Sequence, residues 1–192
     1  ANNGKDKNME EIIKNIAEKI SSYNIFTNFF PGIVFCYIVE QSTRFSLKHD
    51  NIWVNIFVYY FVGIIVNRFG SIFVEKWLMK IKIKNKETNK KEPFLKFAPY
   101  EKYIDASKND SFVLTLNETN NTYRTMTAMI ILAVVIKLYD WLLYDWVQYL
   151  GPMGNNLVFI IMCLMGIALF VFSYKKQTDY IRKRVESYNK TK

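Results

Sequence analysis

Histidine and cysteine are scarce in this chain of 192 residues, which contains one histidine and two cysteines. Zinc sites are built from several Cys and His ligands, so a zinc centre has almost nothing to build on. Cys36 and Cys163 both lie in apolar stretches, where a thiol behaves as a small apolar group. We therefore predict neither a metal site nor a disulfide framework.

Motifs of known catalytic types are also missing. The sequence contains no Walker A loop and no G-x-S-x-G, H-E-x-x-H or C-x-x-C pattern. The neighbouring carboxylates Glu10 and Glu11 are explained by the solvated face of a helix. The sequence therefore predicts a protein that is not an enzyme and that binds no cofactor.

Charged residues are absent from several long apolar runs. Residues 156–174 carry no charge and, as a helix, span about 28 Å, close to the hydrocarbon thickness of a bilayer. A second apolar run, 125–147, contains three charged residues, Lys137, Asp140 and Asp145, and two shorter runs without charge cover 24–39 and 51–67. Either short run alone could be a buried helix of a soluble protein, but their pairing across a short loop favours membrane spans. The predicted fold class is all-α, with four transmembrane helices in two hairpins and a cytosolic helical segment between them.

The predicted segments differ in composition. They are a flexible start with an amphipathic helix (1–23), a transmembrane hairpin (24–70), a cytosolic helical segment (71–124), a second transmembrane hairpin (125–174) and a basic cytosolic tail (175–192). Isoleucines at helical spacing place the amphipathic helix over Met9–Ile20. Pro31, next to Gly32, predicts a kink or a break because proline donates no backbone hydrogen bond. Lysines alternate with other residues over 80–92. This pattern is compatible with a flexible connector or with a short strand, and the sequence does not decide between them. Ser111 is the expected cap of the next helix.

Basic residues are distributed unevenly around these runs. Of the 26 Lys and Arg residues, 23 lie before the first run, between the second and third, or after the fourth. The first loop carries two, Arg44 and Lys48, and the loop 148–155 carries none. Cytoplasmic loops of membrane proteins hold the excess of Lys and Arg. We therefore predict a multi-pass protein of the lipid bilayer with cytosolic N- and C-termini.

Three polar residues inside the proposed spans are candidate intramembrane contacts. Lys137 and Asp140 are three apart on one helical face and can form an ion pair. The alternative for Lys137 is a side chain that reaches out to the headgroups. Asn55 is polar in an apolar run and is expected to bond a neighbouring helix. These residues predict a homo-oligomer, since polar groups are better satisfied between helices than against lipid.

A cluster of lysines marks the candidate surface for a cytosolic partner. Residues 68–124 and 175–192 together carry 19 basic and nine acidic residues. The candidate docking residues are Lys82, Lys84, Lys86, Lys90 and Lys91. An acidic face on a cytosolic protein fits this surface. Direct nucleic-acid binding is the weaker alternative, because the aromatics here follow core periodicity rather than forming a stacking platform.

One pattern extends across the middle of the chain. Arg68-Phe-Gly-Ser71 is followed by Glu75, then by YIDASKND from Tyr103 to Asp110, and then by Asn-Asn-Thr-Tyr before Arg124. This pattern resembles a family of small four-span bacterial membrane proteins of anti-phage defence loci, such as the membrane subunit of the Kiwa system and the SMODS-associated four-helix effectors. The resemblance covers residues 60–128 and carries over no catalytic or ligand-binding residue.

The resemblance implies a membrane protein of the bacterial inner membrane that senses infection or executes the response to it, together with a cytosolic partner encoded nearby. Two other functions remain open from the sequence. One is an inner-membrane immunity protein against a pore-forming toxin, which would not need so large a basic cytosolic segment. The other is a small channel or transporter subunit, for which the chain has few buried polar groups at mid-membrane.

Overall fold

A computed structural model describes residues 24–85 and 89–190. The amphipathic helix predicted over Met9–Ile20 lies outside the described residues. In chain order the elements are π1 (Ile25–Phe29), α1 (Phe30–Ser42), α2 (Ile52–Phe69), π2 (Gly70–Val74), α3 (Glu75–Lys80), β1 (Lys82–Lys84), β2 (Lys91–Pro93), α4 (Tyr100–Asn109), α5 (Phe112–Leu142), α6 (Tyr144–Tyr149) and α7 (Gly151–Lys190), where π marks a wider helical turn. The predicted all-α class is confirmed, with one small β-hairpin added to it.

Pro31 fits into the first helix without breaking it. It lies in the first turn of α1, directly after π1, where the N–H of Phe30 bonds to the carbonyl of Ile25. A missing backbone donor costs least in the first turn of an α-helix. A kink or a break was predicted at Pro31. The structure instead has a change from π to α hydrogen bonding within a continuous helical path.

α1 and α2 pack as a hairpin whose backbones touch at two glycines. A Cβ atom on Gly32 would stand 1.8 Å from the carbonyl oxygen of Tyr59. A Cβ atom on Gly63 would stand 1.7 Å from the carbonyl oxygen of Asn28. Both distances are far inside van der Waals contact, so this approach requires glycine. Small residues allow such close helix packing in membranes.

Among the described residues, three helical stretches rather than the four predicted are candidate membrane spans. The helical stretches that are long and apolar enough to cross a membrane are Ile52–Lys80, Phe112–Leu142 and Gly151–Asn189. The first helical stretch, 25–42, is not among them. It contains Asn28, Glu40 and Gln41, and these polar side chains lower the mean hydropathy of a stretch that is already short.

The third predicted span, 125–147, is divided in the structure. α5 ends at Leu142, and the short α6 follows after Leu143. A turn at Gly151, with a φ of 59°, then starts α7, which runs as one helix through the predicted fourth span and the basic tail. A positive φ is a conformation that glycine adopts without steric cost.

A two-stranded antiparallel hairpin connects α3 to α4. Lys84 lies opposite Lys91, and Ile83 lies opposite Glu92. In the turn between the strands, Asn89 has a φ of 56°, which asparagine tolerates better than most residues. Of the two alternatives for 80–92, the short strand is therefore the one found.

Asp110 caps the N-terminus of α5, one residue before the predicted cap. Its Oδ1 accepts the backbone N–H of Phe112 at 2.9 Å. Ser111 has helical backbone angles and makes no side-chain capping bond, so that prediction was wrong. Both residue types are good caps, and only the backbone angles distinguish them.

The buried core lies between α1, α2 and α5. Its members are Phe35, Cys36, Val39, Val66, Val74, Ala128, Met129 and Ala133. α7 adds little to this core, since only 11% of its most apolar stretch of 18 residues is buried. Its Leu, Ile, Met and Phe side chains point outward along most of its length. A helix that is apolar all round is typical of a membrane span.

Candidate functional site

Two polar clusters lie at opposite ends of the bundle, with the apolar core between them. The inner network lies where α2 passes into π2 and comprises Asn28, Asn67, Ser71, Glu75, Arg124, Thr125 and Lys176. The outer cluster lies at the loop that joins α1 to α2 and comprises Arg44, Lys137, Asp140 and Asp145.

Asn67 joins three helical segments within the inner network. Its amide nitrogen donates to Oδ1 of Asn28 at 2.8 Å. Its Oδ1 accepts from Nη2 of Arg124 at 3.0 Å and from the hydroxyl of Thr125 at 3.3 Å. Hydrogen bonds between helices hold membrane bundles together. A single side chain of α2 therefore bonds to both π1 and the middle of α5.

Glu75 pairs with two cations from different helices. Its Oε2 lies 3.0 Å from Nη1 of Arg124, and its Oε1 lies 3.0 Å from Nζ of Lys176. The side chains of Glu75, Arg124 and Lys176 are 15%, 19% and 24% exposed. Lys176 also donates to the carbonyl of Ser71 at 2.9 Å and to its hydroxyl at 2.8 Å. This ion-paired group ties α5 and α7 to the same turn of helix.

The turn that receives these contacts is π2. Ser71 lies within it, and Glu75 follows it directly. Wide π turns inside α-helices occur frequently at functional sites. Here the wide turn lies where a helix of the membrane hairpin passes into the cytosolic segment predicted from charge.

A cavity of about 370 Å³ opens beside the inner network. Its walls are Asn24, Asn28, Tyr60, Ile64, Asn67, Arg68, Arg124 and Gln177. None of these residues is a carboxylate, and two are arginines. Among the residues that the structure describes, Nε of Arg124 is the buried side-chain nitrogen without a hydrogen-bond partner.

Arg44 organises the outer cluster. Its Nε lies 3.0 Å from Oδ1 of Asp140, and its Nη1 lies 2.6 Å from Oδ1 of Asp145. The guanidinium carbon stands 4.0 Å from the centre of the Tyr144 ring, which adds a cation–π contact. The hydrogen bonds to Asp145 and Asp140 raise the pKa of Arg44 above its ordinary value.

The Lys137–Asp140 pair expected from their spacing is present within the outer cluster. Nζ of Lys137 lies 3.7 Å from Oδ2 of Asp140 and also donates to the carbonyl of Ser42. Asp140 is only 5% exposed, and its shorter contact is to Arg44. Lys137 and Asp140 therefore find their partners within the chain, between α5 and the end of α1.

Asn55 does not bond a neighbouring helix as predicted. Its Oδ1 accepts the backbone N–H of His49 at 2.7 Å, and its amide donates to the carbonyl of His49 at 2.8 Å. Asn55 lies in the first turn of α2, close enough to the preceding loop for both bonds. The side chain therefore closes the loop by bonding the backbone of His49 twice.

The predicted docking lysines fall on the β-hairpin. Lys82, Lys84, Lys90 and Lys91 are exposed on it, and Lys86 lies outside the described residues. Lys84 and Lys91 face each other across the strands. Like charges directly opposite each other destabilise a strand pair. An anionic surface placed against the hairpin would relieve this repulsion.

Asn28 and Asn67 are site residues that the sequence reasoning missed. Both are polar residues in apolar runs, the signal that singled out Asn55, but their link across the hairpin is not visible from spacing. Within the described ranges, no three His, Cys, Asp or Glu side chains cluster closely enough to hold a metal ion. The chemistry of the inner network is thus hydrogen bonding and ion pairing.

Neither a protein-family model nor a curated protein nor a solved structure matches this chain.

Proposed function

We propose that this chain is a non-enzymatic membrane component of a bacterial anti-phage defence system, acting as an oligomeric sensor or effector with a cytosolic protein partner. The observation that carries the proposal is the inner network. Ser71, Glu75 and Arg124 belong to the pattern that resembles membrane proteins of defence loci, and they meet in one partly buried contact with Lys176. A sequence pattern that specifies one contact supports a shared fold, and the function follows from it by analogy.

The helical stretch 25–42 is, in this proposal, a fourth span. Its contacts support this: Asn28 bonds Asn67 at the inner level, and the carbonyl of Ser42 accepts from Lys137 at the outer level. Between Asn28 and Ser42 a helix rises about 21 Å, so the stretch runs beside α2 and α5 through most of the apolar layer. An even number of spans puts both termini on the same side of the membrane, and the excess of Lys and Arg near them favours the cytosol.

A homo-oligomer is supported by α7 rather than by the polar residues first considered. Those polar side chains form their hydrogen bonds and ion pairs within the chain, so they do not favour contact with a second copy; they are Asn55, Lys137 and Asp140. Gly166, on α7, has open space around the position of its missing Cβ atom. Small residues on an exposed membrane helix permit close approach of another helix. The occupant proposed for this face is α7 of another copy of the chain.

The β-hairpin is the proposed docking site of the cytosolic partner, which is encoded nearby. Its exposed lysines project from the cytosolic side of the proposed topology. Electrostatic attraction would speed and orient the approach of an acidic protein surface. Direct binding of nucleic acid is the alternative for the same residues and would be equally sensitive to salt.

The distribution of polar residues weighs against a channel formed by one chain. Apart from Ser187 on the tail of α7, the buried polar side chains of the described residues lie at the inner and outer levels, and apolar side chains such as Phe35, Val39 and Val66 fill the layer between. A conducting path usually carries polar groups through this layer. The immunity-protein alternative differs from the proposal in its partner, since it needs a toxin in the membrane and no cytosolic protein.

The proposal is tested by expressing the chain with its neighbouring genes and measuring the efficiency of phage plating. We expect protection with the wild-type locus and its loss on deletion of this chain. Glu75→Ala, in the inner network, should also abolish protection, whereas Glu186→Ala, at an exposed carboxylate on α7, should preserve it. Unchanged plating after deletion of the chain would refute the defence role, and protection from a pore-forming toxin by the chain alone would favour the immunity protein.

A further inference from the structure

We propose that the cavity beside the inner network binds a phosphate group at the level of the cytosolic lipid headgroups. Its walls supply hydrogen-bond donors and positive charge: amides from Asn28, Asn67 and Gln177, and guanidinium groups from Arg68 and Arg124. None of the lining residues that the structure describes is a carboxylate. Hydrogen bonds from charged donors to phosphate oxygens are short and strong, and the planar guanidinium matches the geometry of these oxygens. The volume of about 370 Å³ lies in the range of roughly 300–1,000 Å³ that is typical of small-ligand sites.

The first step of the case is the incomplete bonding of Arg124. Its Nη1 bonds Glu75 and its Nη2 bonds Asn67, both at 3.0 Å. Its Nε is buried, and in the part of the chain described by the structure it has no partner. A buried N–H group without an acceptor is unfavourable. Because Arg124 is also a wall of the cavity, an anion bound there would lie beside a guanidinium group whose hydrogen bonding is incomplete.

The second step is the charge balance around the cavity. Arg68, Arg124 and Lys176 are three cations, and Glu75 is the carboxylate that pairs with two of them. Arg68 is exposed at the cavity wall, and within the described ranges its side chain makes no ion pair. The group therefore keeps a positive surplus that an anion would balance. Arg68 has the freedom to close over that anion.

The third step is the depth of the cavity, which favours a phospholipid over a free phosphate. Ile64 and Tyr60 line it one and two helical turns before Arg68 on α2. Because α2 runs from the outer to the inner level, these two residues lie deeper in the membrane than Arg68. The wall therefore extends about 12 Å from a charged level into the apolar layer. Basic pockets between membrane helices on the cytoplasmic side bind anionic headgroups.

The proposal is tested with the full-length chain in detergent, by titrating three probes and following thermal unfolding and native mass spectra. The probes are a short-chain phosphatidylglycerol, the matched diacylglycerol without a phosphate, and inorganic phosphate. We expect saturable stabilisation by phosphatidylglycerol and none by diacylglycerol. Arg68→Gln should weaken binding about tenfold, the usual effect of removing one charged hydrogen-bond donor. The matched control is Arg182→Gln, at an exposed arginine on the tail of α7, and it should leave the Kd unchanged.

The outcomes separate the two sources of phosphate. Stabilisation by phosphatidylglycerol but not by inorganic phosphate identifies a lipid as the occupant. Stabilisation by inorganic phosphate to the same extent supports a phosphate site and identifies its occupant as a soluble phosphate compound. The proposal is overturned if diacylglycerol stabilises as well as phosphatidylglycerol. It is also overturned if the substitutions at Arg68 and Arg182 change the Kd equally. Because Arg68 is exposed and makes no ion pair within the described ranges, its substitution tests the site without removing the Arg124 contacts that join the helices, and the measurements are independent of any role in defence.

Discussion

At the scale of single residues, Glu75 is the side chain on which the inner network depends. It is a carboxylate between a guanidinium group of α5 and an ammonium group of α7, and all three side chains are largely withdrawn from solvent. Such an ion pair is weak evidence for stability as long as it is intact, because desolvation offsets the attraction. Its removal is costly, since the remaining charges are left without a counter-ion.

Glu75→Gln should therefore destabilise the protein by about 1–3 kcal/mol. Breaking a fully buried pair costs about 3–5 kcal/mol, and the partial exposure of this one reduces the expected loss. The measurement is thermal or denaturant unfolding in mild detergent. The control is Glu186→Gln, whose carboxylate is 61% exposed beside Arg182, and its effect should stay within about 0.5 kcal/mol. Equal losses of unfolding free energy in the two variants would show that the ion pairs of Glu75 contribute no more to stability than those of an exposed carboxylate.

Residue contacts were predictable from the sequence only where they are local. The pair of Lys137 and Asp140 follows from a separation of three residues on one helix. The closer partner of Asp140 is Arg44, which is 96 residues away along the chain, and no periodicity points to it. Asn55 misled the prediction for a different reason, because its partner is the backbone of His49 in the preceding loop, six residues away, and hydropathy does not reveal such a bond.

At the scale of elements, the contact of α1 with α2 is set by Gly32 and Gly63. Each glycine faces a backbone carbonyl of the other helix, and a carbonyl cannot move aside as the end of a flexible side chain can. At Gly32 and at Gly63, the space between the two packed helices is therefore too small to hold even one methyl group.

Gly63→Ala should separate the hairpin and destabilise the protein by about 1–3 kcal/mol, the usual cost of overpacking. Gly166→Ala is the matched control, since it adds the same methyl group to a membrane helix where no heavy atom lies within 4 Å. When unfolding is measured on the monomer, that variant should be as stable as wild type or slightly more so, because alanine favours helix. Unfolding in detergent checks both variants, and a Gly63→Ala protein as stable as the control would contradict the packing described.

The β-hairpin leads to a prediction about the partner. Reversing the charge of Lys82, Lys84, Lys86, Lys90 and Lys91 should abolish co-purification of the neighbouring gene product at moderate salt, because the attraction to an acidic surface becomes repulsion. Charge reversal of Arg182, Lys183 and Arg184 on the tail of α7 is the control and should retain the partner. Retention of the partner by the hairpin variant would exclude this docking site. Co-purification of nucleic acid alone would favour the alternative ligand.

Elements were predictable to the extent that hydropathy and charge define them. The apolar runs located α2, α5 and α7, and the alternation over 80–92 left room for the strand that is found. The π turns were not predictable, because a π turn depends on bonds that stabilise the wide backbone from other helices. The first stretch, 25–42, was counted as a span from its pairing with α2, although its own hydropathy is too low to qualify.

At the scale of the whole molecule, the topology depends on whether the stretch 25–42 crosses the membrane. If it does, reporters fused at the N-terminus, within 80–92 and after residue 192 should all read cytosolic. If it lies on the outer surface instead, the N-terminal reporter alone should read periplasmic. A periplasmic signal from the fusion within 80–92 or after residue 192 would overturn the topology derived from charge.

The apolar side chains of α7 are largely exposed in the single chain. Because a second copy could cover them, we expect native mass spectrometry in mild detergent to detect assemblies of more than one copy. Lys137→Leu should leave this assembly intact, because Lys137 bonds Ser42 and Asp140 of its own chain. Detection of the monomer alone under several detergents would argue that lipid covers α7. Loss of the assembly in the Lys137→Leu variant would return that residue to the interface.

The wide turn π2 has a consequence for insertions and deletions in the chain. An α-helix advances 100° about its axis with each residue, and a wide turn accommodates about one residue more than an α turn. Removing one residue from Gly70–Val74 would restore a regular α-helix and rotate everything after it by about 100° relative to α2. The Glu75 carboxylate would then point away from Arg124 and Lys176. A single residue of π2 thus sets the rotational position of α3 and the β-hairpin relative to α2, and a chain that lost it would present them in a different direction.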